Sequence, residues 1–491
     1  MNLKQLAYKL STLCCVLALL TSCGEDRTHE IEELTEVQHW IYNTMDEWYY
    51  WYDELPAKDQ VKFTDKPKSF FQSLLNKKDG GDHGAFSYLE DSSEIPTTRS
   101  IHQTQYSYGI AFTPIAFNKE QTKLGAYVNY IASDSPASEA GLQRGDIILS
   151  TEENEQYLNQ EEIMQLIGGP TLSKVSYIRP PLNNGNTKIH HTTLASARPI
   201  VDKPTYLVEN FENQVGYLVY NHFTPGNVDK DKQDLSYNHD LYEKIASRLV
   251  GTKDLILDLR YNNGGHVSCA ELLMALIGPS EIIDQSVGYM KYNNKKLTED
   301  PKKYKPLIYA TTIHRLEDSK SFESARNHIN LNIERLFVIT SQNTASASEL
   351  IINSLSSYIP VYVIGKTTVG KNVGSIGFDK DNWHLQPIVC QIYNNNDFTE
   401  YQQGFKPGIY YKDNHNPKLH PEWEMSEIDE LFDHNHFGQL GDPNEPLLNT
   451  VIRIIANEEV TKEKNTRSTS TPAIKVYPMV GLYDYSNTLI D

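Results

Sequence analysis

The sequence predicts an α/β protein of several domains, because three parts of the chain differ in their hydrophobic periodicity. The first has the spacing of amphipathic helices, the second consists of short strands between turns, and the third alternates strands with helices. A chain of 491 residues is too long for a single hydrophobic core, since domains average about 150 residues. The predicted units are a signal peptide (1–22), a tether with a helical domain (23–99), a β domain (100–197), an α/β core (198–460) and a tail (461–491).

In the helical domain, apolar residues recur every three or four positions from Ile31 onward, which predicts a helix that Pro56 stops. A second helix is predicted from Asp65, with Pro67 in its first turn. The aromatic residues at 48–52 favour a helix core or a contact in a homodimer over a ligand cage.

The composition argues against two classes of partner. The formal net charge is −19, whereas nucleic acid and anionic lipid headgroups attract clustered Lys and Arg. The sequence has no Cys-x-x-Cys and its histidine-rich stretch lacks helical ligand spacing, so we predict neither a metal nor a cofactor. The histidines of that stretch are His415, His420, His434 and His436.

The first 22 residues have the pattern of an export signal. Lys4 and Lys9 give a positively charged start, and the apolar run that follows (10–20) is too short to span a bilayer. The run ends in Leu-Thr-Ser-Cys-Gly, which is similar to a bacterial lipobox and predicts cleavage before Cys23 and lipidation of that residue. The alternative is an ordinary secretory signal with an incidental cysteine. Acyl chains would anchor the protein in the cell envelope. We expect the anchor to lie in the outer membrane, with the protein on either its periplasmic or its surface side.

Only Cys269 and Cys390 remain after the signal peptide and the lipidated residue are set aside. Both lie in apolar stretches, which favours buried packing, and the sequence leaves open whether they pair.

The β domain contains the phrase DSPASEAGLQRGDIILS at 134–150, a short helix that a glycine ends, followed by a buried strand. This phrase resembles PDZ domains of bacterial proteases. The resemblance implies a peptide-docking loop and edge strand that bind protein carboxy termini by β-augmentation. By the same resemblance the docking residues are Tyr108, Gly109, Ile110, Ala111 and Phe112.

Three further motifs lie in the α/β core. The first is an apolar strand at 255–259 followed by Asn-Asn-Gly-Gly and a helix. Paired glycines between a strand and a helix allow N–H groups to approach an anion, so Gly264 and Gly265 are candidates for an oxyanion hole. The alternative is a plain βα turn, for which Asn-Gly-Gly is common.

The second motif is the run Thr-Ala-Ser-Ala-Ser-Glu at 344–349, between an apolar strand and a helix. A serine at a helix amino terminus is well placed as a nucleophile, because the helix dipole favours negative charge and the next amide, that of Ala347, can join the oxyanion hole. The alternative is helix capping, since Ser346 and Glu349 also match a capping box.

The third motif places Lys371 between Gly370 and Asn372 after an apolar strand. Burial lowers the pKa of a lysine, so Lys371 could serve as a general base, although an exposed loop lysine is the commoner fate.

The order and spacing of these motifs resemble the carboxy-terminal processing (tail-specific) serine protease family over about residues 100–455. The resemblance implies a crotonase/ClpP-like αβ protease core behind a PDZ-like β domain, with Ser346 as nucleophile and Lys371, 25 residues later, as its base. Two positions depart from the family. Ser375 stands where members often carry a Gln that orients the lysine, so Ser375 is a candidate for that role and the orienting group stays open. Ser357 stands where some members carry an Asp. His83, near a substrate-proximal turn of the family, is a weaker catalytic candidate.

We therefore expect an endopeptidase that binds protein or peptide substrates with accessible carboxy termini and cleaves them through an acyl-enzyme. The competing interpretations are a lipoprotein scaffold with a degenerate protease core and, less well supported, an acyl-CoA hydratase or thioesterase. The export signal counts against CoA chemistry, which is largely cytoplasmic.

Overall fold

The computed structural model describes residues 28–81, 84–91, 106–151, 157–182, 187–227, 234–283, 285–300, 307–309, 330–461 and 474–482. The predicted signal peptide, Cys23 and His83 lie outside these residues. Within these ranges no helix is long and apolar enough to cross a membrane.

The regular elements are numbered in chain order. The helices are α1 Thr28–Trp48, α2 Pro67–Leu74, α3 Pro136–Glu139, α4 Gln160–Gln165, α5 Ser236–Asp240, α6 Val267–Ile277, α7 Asn294–Glu299, α8 Ala347–Leu355, α9 Glu427–Asp429 and α10 Pro446–Ile455. The strands of the first half are β1 Tyr88–Asp91, β2 Tyr106–Ser107, β3 Ile110–Ala116, β4 Leu124–Ile131, β5 Ile147–Ser150, β6 Leu172–Ile178, β7 Ile189–Leu194, β8 Arg198–Pro199, β9 Thr205–Phe211, β10 Val215–Tyr220 and β11 Asp254–Asp258. Those of the second half are β12 Ser286–Tyr292, β13 Leu307–Tyr309, β14 Arg335–Thr340, β15 Val361–Gly365, β16 Val373–Ser375, β17 Phe378–Lys380, β18 Trp383–Gln386, β19 Ile388–Asn394, β20 Gly408–Tyr410, β21 Lys418–Leu419 and β22 Lys475–Val476.

The amino-terminal helices pack on a three-stranded sheet of order β1-β18-β17 and share one apolar core with it. Helix α1 ends at Trp48, eight residues before the predicted stop at Pro56. The chain leaves the helix because tertiary hydrogen bonds replace helical ones. The Tyr50 N–H donates to the Ile388 carbonyl (2.8 Å), and the buried Tyr49 hydroxyl donates to Asp79 (2.9 Å).

The β domain, here residues 106–199, is a sheet of order β22-β3-β4-β5-β6-β7 that encloses its own apolar core, against which α4 packs. Five of these strands come from the domain itself. The sixth, β22, comes from the carboxy-terminal tail and pairs antiparallel with β3. The sequence analysis did not anticipate this strand, because two paired residues are too few to show a period.

The core sheet has the order β21-β20-β15-β14-β11-β10-β9, and its four central strands β10, β11, β14 and β15 are parallel. Side chains of β10 alternate between two apolar layers. Leu218 and Tyr220 face the layer with α6 and α8, while Tyr217 and Val219 face the layer with α10. Burial on both faces explains why these strands are continuous apolar runs in the sequence.

The polar composition of residues 279–332 predicts an irregular segment, such as an inserted hairpin or lid, but residues 286–300 form regular elements. Strand β12 pairs with β19 inside a sheet of order β13-β12-β19-β16, and α7 follows it. Val287, Met290 and Tyr292 are buried in the main core, so packing of these residues outweighs the polar composition of the stretch.

A buried charge network joins the β domain to the core. Arg144 donates to Glu427 (2.5 Å), and Arg260 donates to Glu445 through two nitrogens (2.7 and 3.1 Å). Arg260 also pairs with Asp258 at the end of β11 (2.8 Å), and all of these side chains are largely or fully buried. Loss of any one partner would leave an uncompensated buried charge, so the network holds the two domains in one arrangement.

Candidate active site

The candidate site lies where the chain leaves two adjacent parallel strands of the core sheet. Strand β11 runs into the loop with Gly264 and Gly265, and β14 runs into the loop that precedes α8. Carboxyl ends of neighbouring parallel strands meet at one sheet edge, which is where ligands bind in open α/β sheets.

Ser346 occupies the last position of the second loop in a strained backbone conformation. Its φ is 63° and its ψ is −116°, outside the extended region that helix-capping residues normally adopt. Its N–H donates to Glu349 (2.9 Å), as in a capping box. Capping accounts for that hydrogen bond but does not require a positive φ. Backbone strain of about 1–3 kcal/mol is typical of functional positions.

The two glycines approach the site too closely for any side chain. A Cβ on Gly264 would lie 2.7 Å from Ser346 Cβ and 3.0 Å from Ser346 Oγ. A Cβ on Gly265 would lie 2.3 Å from the Phe223 carbonyl oxygen, and both glycines have a positive φ, 116° and 134°. The backbone of this loop therefore forms the wall that faces the Ser346 hydroxyl.

Of the three predicted oxyanion donors, one is already used. The Gly264 N–H donates to the side-chain oxygen of Asn262 (2.8 Å), so Gly264 contributes close approach rather than a donor. Among the described residues, neither the Gly265 N–H nor the Ala347 N–H donates to a backbone acceptor. The neighbouring Ser348 hydroxyl donates to the Asn262 carbonyl (3.1 Å) and is thus engaged in the loop.

Lys371 lies in the loop between β15 and β16 and is 3% exposed, which excludes the alternative of an exposed loop lysine. Its Nζ stands 5.2 Å from the ring centroid of Phe86, a residue of the amino-terminal part of the chain. Ser346 is 2% exposed, so both side chains are withdrawn from water.

The fully buried carboxylate of Glu349 links the two loops. Its Oε2 accepts from the N–H groups of Ser346 (2.9 Å) and Lys371 (2.8 Å), which places these nitrogens within about 6 Å of each other. Its Oε1 accepts from the Gly370 N–H and the Thr368 hydroxyl, both at 2.6 Å. Burial raises the pKa of Glu349 to about 7, although these hydrogen bonds act in the opposite direction. The sequence presented Glu349 only as a capping residue.

Comparison with known protein families identifies the fold that carries this site. The model for peptidase family S41 matches residues 214–411, and the model for the S41 N-terminal domain matches residues 36–88, together 251 of the 491 residues. The chain belongs to peptidase family S41. It is a serine-type peptidase, which confirms the predicted resemblance to carboxy-terminal processing proteases at the level of the family.

The chain is also similar to solved structures. A putative S41 protease from Bacteroides fragilis is 27% identical, covers 85% of this chain and 97% of its own, and has a TM-score of 0.67. The photosystem II D1 C-terminal processing protease is 16% identical with a TM-score of 0.40, covering 76% of this chain and 91% of its own. None of the curated proteins compared with the chain matches it.

In this S41 peptidase, a glutamine missed by the sequence analysis contacts Ser375, the candidate for orienting Lys371. The buried Gln386 on β18 donates to the Ser375 hydroxyl (2.9 Å) and accepts from Tyr88 (3.2 Å). Gln386 lies fifteen residues after Lys371, at the end of the second strand of the β17–β18 hairpin. The side-chain amide of Gln386 thus lies beside Ser375, the position at which family members often carry a glutamine, but it comes from a different strand.

A cavity of about 420 Å³ opens beside Lys371 in the S41 peptidase. Gly370, Asn372 and Phe86 line it next to the lysine, and Tyr50 and Trp51 also line it. Part of the aromatic stretch predicted as helix core or dimer contact therefore faces this cavity.

The predicted peptide-docking edge is covered in the structure. The N–H and C=O groups of Phe112 are both hydrogen-bonded to Val480 of the tail (2.9 and 2.7 Å), and Ala111 is fully buried. The Gly109 N–H donates to the Ser107 hydroxyl (3.0 Å), the Tyr108 hydroxyl donates to the Pro170 carbonyl, and Ile110 pairs with Ile131 of β4. The tail thus occupies the edge at Phe112, and the docking role of residues 108–112 stays a prediction.

Cys269 and Cys390 are buried thiols in the main apolar core, as their apolar surroundings predicted. Among the described residues, no group of three or more His, Cys, Asp or Glu side chains is arranged to hold a metal ion.

Proposed function

We propose that this S41 peptidase is an endopeptidase that uses Ser346 as nucleophile and Lys371 as general base. The observation that carries the proposal is the Glu349 carboxylate, which accepts hydrogen bonds from the backbone of both residues and keeps them adjacent in a buried site. The positive φ of Ser346 and the closeness of Gly264 support the same assignment.

The proposed reaction begins when neutral Lys371 Nζ takes the proton of Ser346 Oγ and the oxygen attacks the scissile carbonyl carbon. The N–H groups of Gly265 and Ala347 then donate to the oxyanion of the tetrahedral intermediate. Collapse of the intermediate breaks the C–N bond, and the Lys371 ammonium gives its proton to the leaving amine. Water, deprotonated by the same lysine, hydrolyses the acyl-enzyme and restores the Ser346 hydroxyl.

The substrate class is proposed to be polypeptides with accessible carboxy termini, which the PDZ-like β domain would bind at its β3 edge. Lipidation at Cys23, anchoring in the cell envelope and a homodimer built on the amino-terminal helices belong to the same proposal and rest on the sequence patterns alone.

The competing function is a peptide-binding scaffold without activity. The observation in its favour is that Ser375 and Ser357 replace the Gln and Asp that family members carry, so Lys371 lacks the family's own orienting groups.

The test is digestion of casein by the soluble form that begins at Gly24, at several pH values. Ser346→Ala and Lys371→Met should each lose at least about 10³-fold in kcat while remaining folded, because each removes one member of the dyad. Ser354→Ala is the matched control, since its hydroxyl is buried on the same helix, α8, without a hydrogen-bond partner among the described residues. A wild type as inert as Ser346→Ala would favour the scaffold.

A further inference from the structure

The tail segment 474–482 occupies the outer edge of β3 as an additional antiparallel strand. Lys475 and Val476 pair with Ala116 and Ile115, and the Tyr477 N–H donates to the Pro114 carbonyl (3.0 Å). Further along, the two backbone bonds between Val480 and Phe112 continue the ladder. A second peptide cannot hydrogen-bond to this edge while the segment is in place, because each backbone group pairs once in a ladder.

The side chains of the segment fill the surface beside that edge. Tyr477 and Val480 pack against the apolar core of the β domain, and Leu482, which is 3% exposed, packs with Ala111 and Tyr130. The segment therefore combines backbone pairing with side chains held in apolar sites, which is how extended peptides are recognised at sheet edges.

The segment also runs in the direction of a substrate tail and passes the active-site loop. Its antiparallel course takes it from Ala116 toward Phe112, so its carboxyl end points at the predicted docking loop. On the way, the Met479 N–H donates to the side chain of Asn343 (3.3 Å), three residues before Ser346. A peptide held on this edge thus lies next to the loop that carries the nucleophile.

We propose that the β3 edge is the docking surface for an extended polypeptide, that segment 474–482 is its resident ligand, and that a substrate tail binds there only by displacing this segment. The inference rests on the proposed function, because it takes the incoming polypeptide to be the substrate.

Because segment 474–482 belongs to the same chain as the β3 edge, it weakens the binding of a free peptide by an amount that can be estimated. A segment that belongs to the same chain as its site acts at an effective concentration on the order of 1 mM. A free peptide with an intrinsic Kd of about 10 µM would then bind the intact protein about 100-fold more weakly than a protein without the segment.

The experiment measures binding of a fluorescein-labelled peptide, Ile-Lys-Val-Tyr-Pro-Met-Val-Gly-Leu, which copies residues 474–482. Fluorescence anisotropy is recorded with the soluble form from Gly24 in the Ser346→Ala background, so that binding is measured without cleavage. A variant that ends at Ala473 should bind the peptide at least 10-fold more tightly than the intact chain, and a scrambled peptide should bind neither.

A second variant keeps the whole chain. It carries the two substitutions Ile115→Cys and Val476→Cys. Residues 115 and 476 are directly opposite each other in the antiparallel ladder and form a non-hydrogen-bonded pair, whose short separation allows a disulfide to form. The oxidised form should bind at least 10-fold more weakly than the same protein after reduction. Equal affinity in oxidised and reduced protein, or no binding to the form that ends at Ala473, would show that the segment is a permanent structural strand and would overturn the proposal. Casein digestion, measured separately with Ser346 present, shows whether the proposed function itself fails.

Discussion

Gly264→Ala probes the wall that faces the nucleophile. The new Cβ would lie 2.7 Å from Ser346 Cβ, whereas non-bonded carbons prefer about 3.5–4.0 Å, so Ser346 would have to move by about 1 Å. A displacement of that size at a reacting atom costs about 100-fold in rate, equivalent to about 2.7 kcal/mol in transition-state free energy. The φ of 116° adds about 1–3 kcal/mol of strain to the folded state.

The assay is the initial rate of casein digestion, with thermal unfolding recorded on the same samples. Gly251→Ala is the matched control, since Gly251 also has a positive φ of 88° but no atom lies within 4 Å of the place that its new methyl group would take. Both variants should lose stability, and only Gly264→Ala should lose about 100-fold in kcat/KM. A Gly264→Ala enzyme that retains more than about a third of the wild-type rate would refute the placement of Ser346 Oγ against this loop.

Three further predictions concern buried charges. Glu349→Gln turns an amide NH₂ toward two of the four donors, so the free energy of unfolding should fall by about 2–4 kcal/mol and kcat by at least 10-fold, as urea unfolding and casein digestion would show. Burial raises the pKa of Glu349 to about 7, so the folded state binds more protons than the unfolded chain between pH 4.5 and 7. As the pH rises through this range, the free energy of unfolding of the wild type should therefore fall by up to about 3 kcal/mol more than that of Glu349→Gln, as urea unfolding at each pH would show. Arg144→Met removes the cation nearest to the largely buried Glu427, which keeps only the longer contact with Arg260 (3.3 Å), and should cost about 3–5 kcal/mol in urea unfolding. Arg198→Met, which breaks an exposed pair with Glu139, should leave the urea midpoint almost unchanged.

The parts of the site that the sequence could predict are local in the chain. The apolar strand followed by paired glycines and the apolar strand followed by Ser346 are each recognisable within a short stretch of sequence. Parallel pairing of β11 with β14 then brings these ends together, because the carboxyl ends of neighbouring strands share an edge.

The parts that escaped prediction depend on contacts between distant residues. Gln386 reaches Ser375 only through the fold of the β17–β18 hairpin, and Phe86 reaches Lys371 across about 285 residues. The same holds for the tail, whose contact between Val480 and Phe112 spans about 368 residues and cannot be inferred from a two-residue strand. Glu349 was visible as a capping residue, but its bond to the Lys371 N–H required the position of a second loop.

The most direct test of the Ser–Lys assignment is labelling by a fluorophosphonate, followed by intact-protein mass spectrometry and peptide mapping. We predict one adduct at Ser346 in the wild type, none in Ser346→Ala, and a labelling rate at least 100-fold lower in Lys371→Met because the serine then lacks its base. An adduct on another residue, or a rate that is indifferent to Lys371, would contradict the assignment of Ser346 as nucleophile and Lys371 as base.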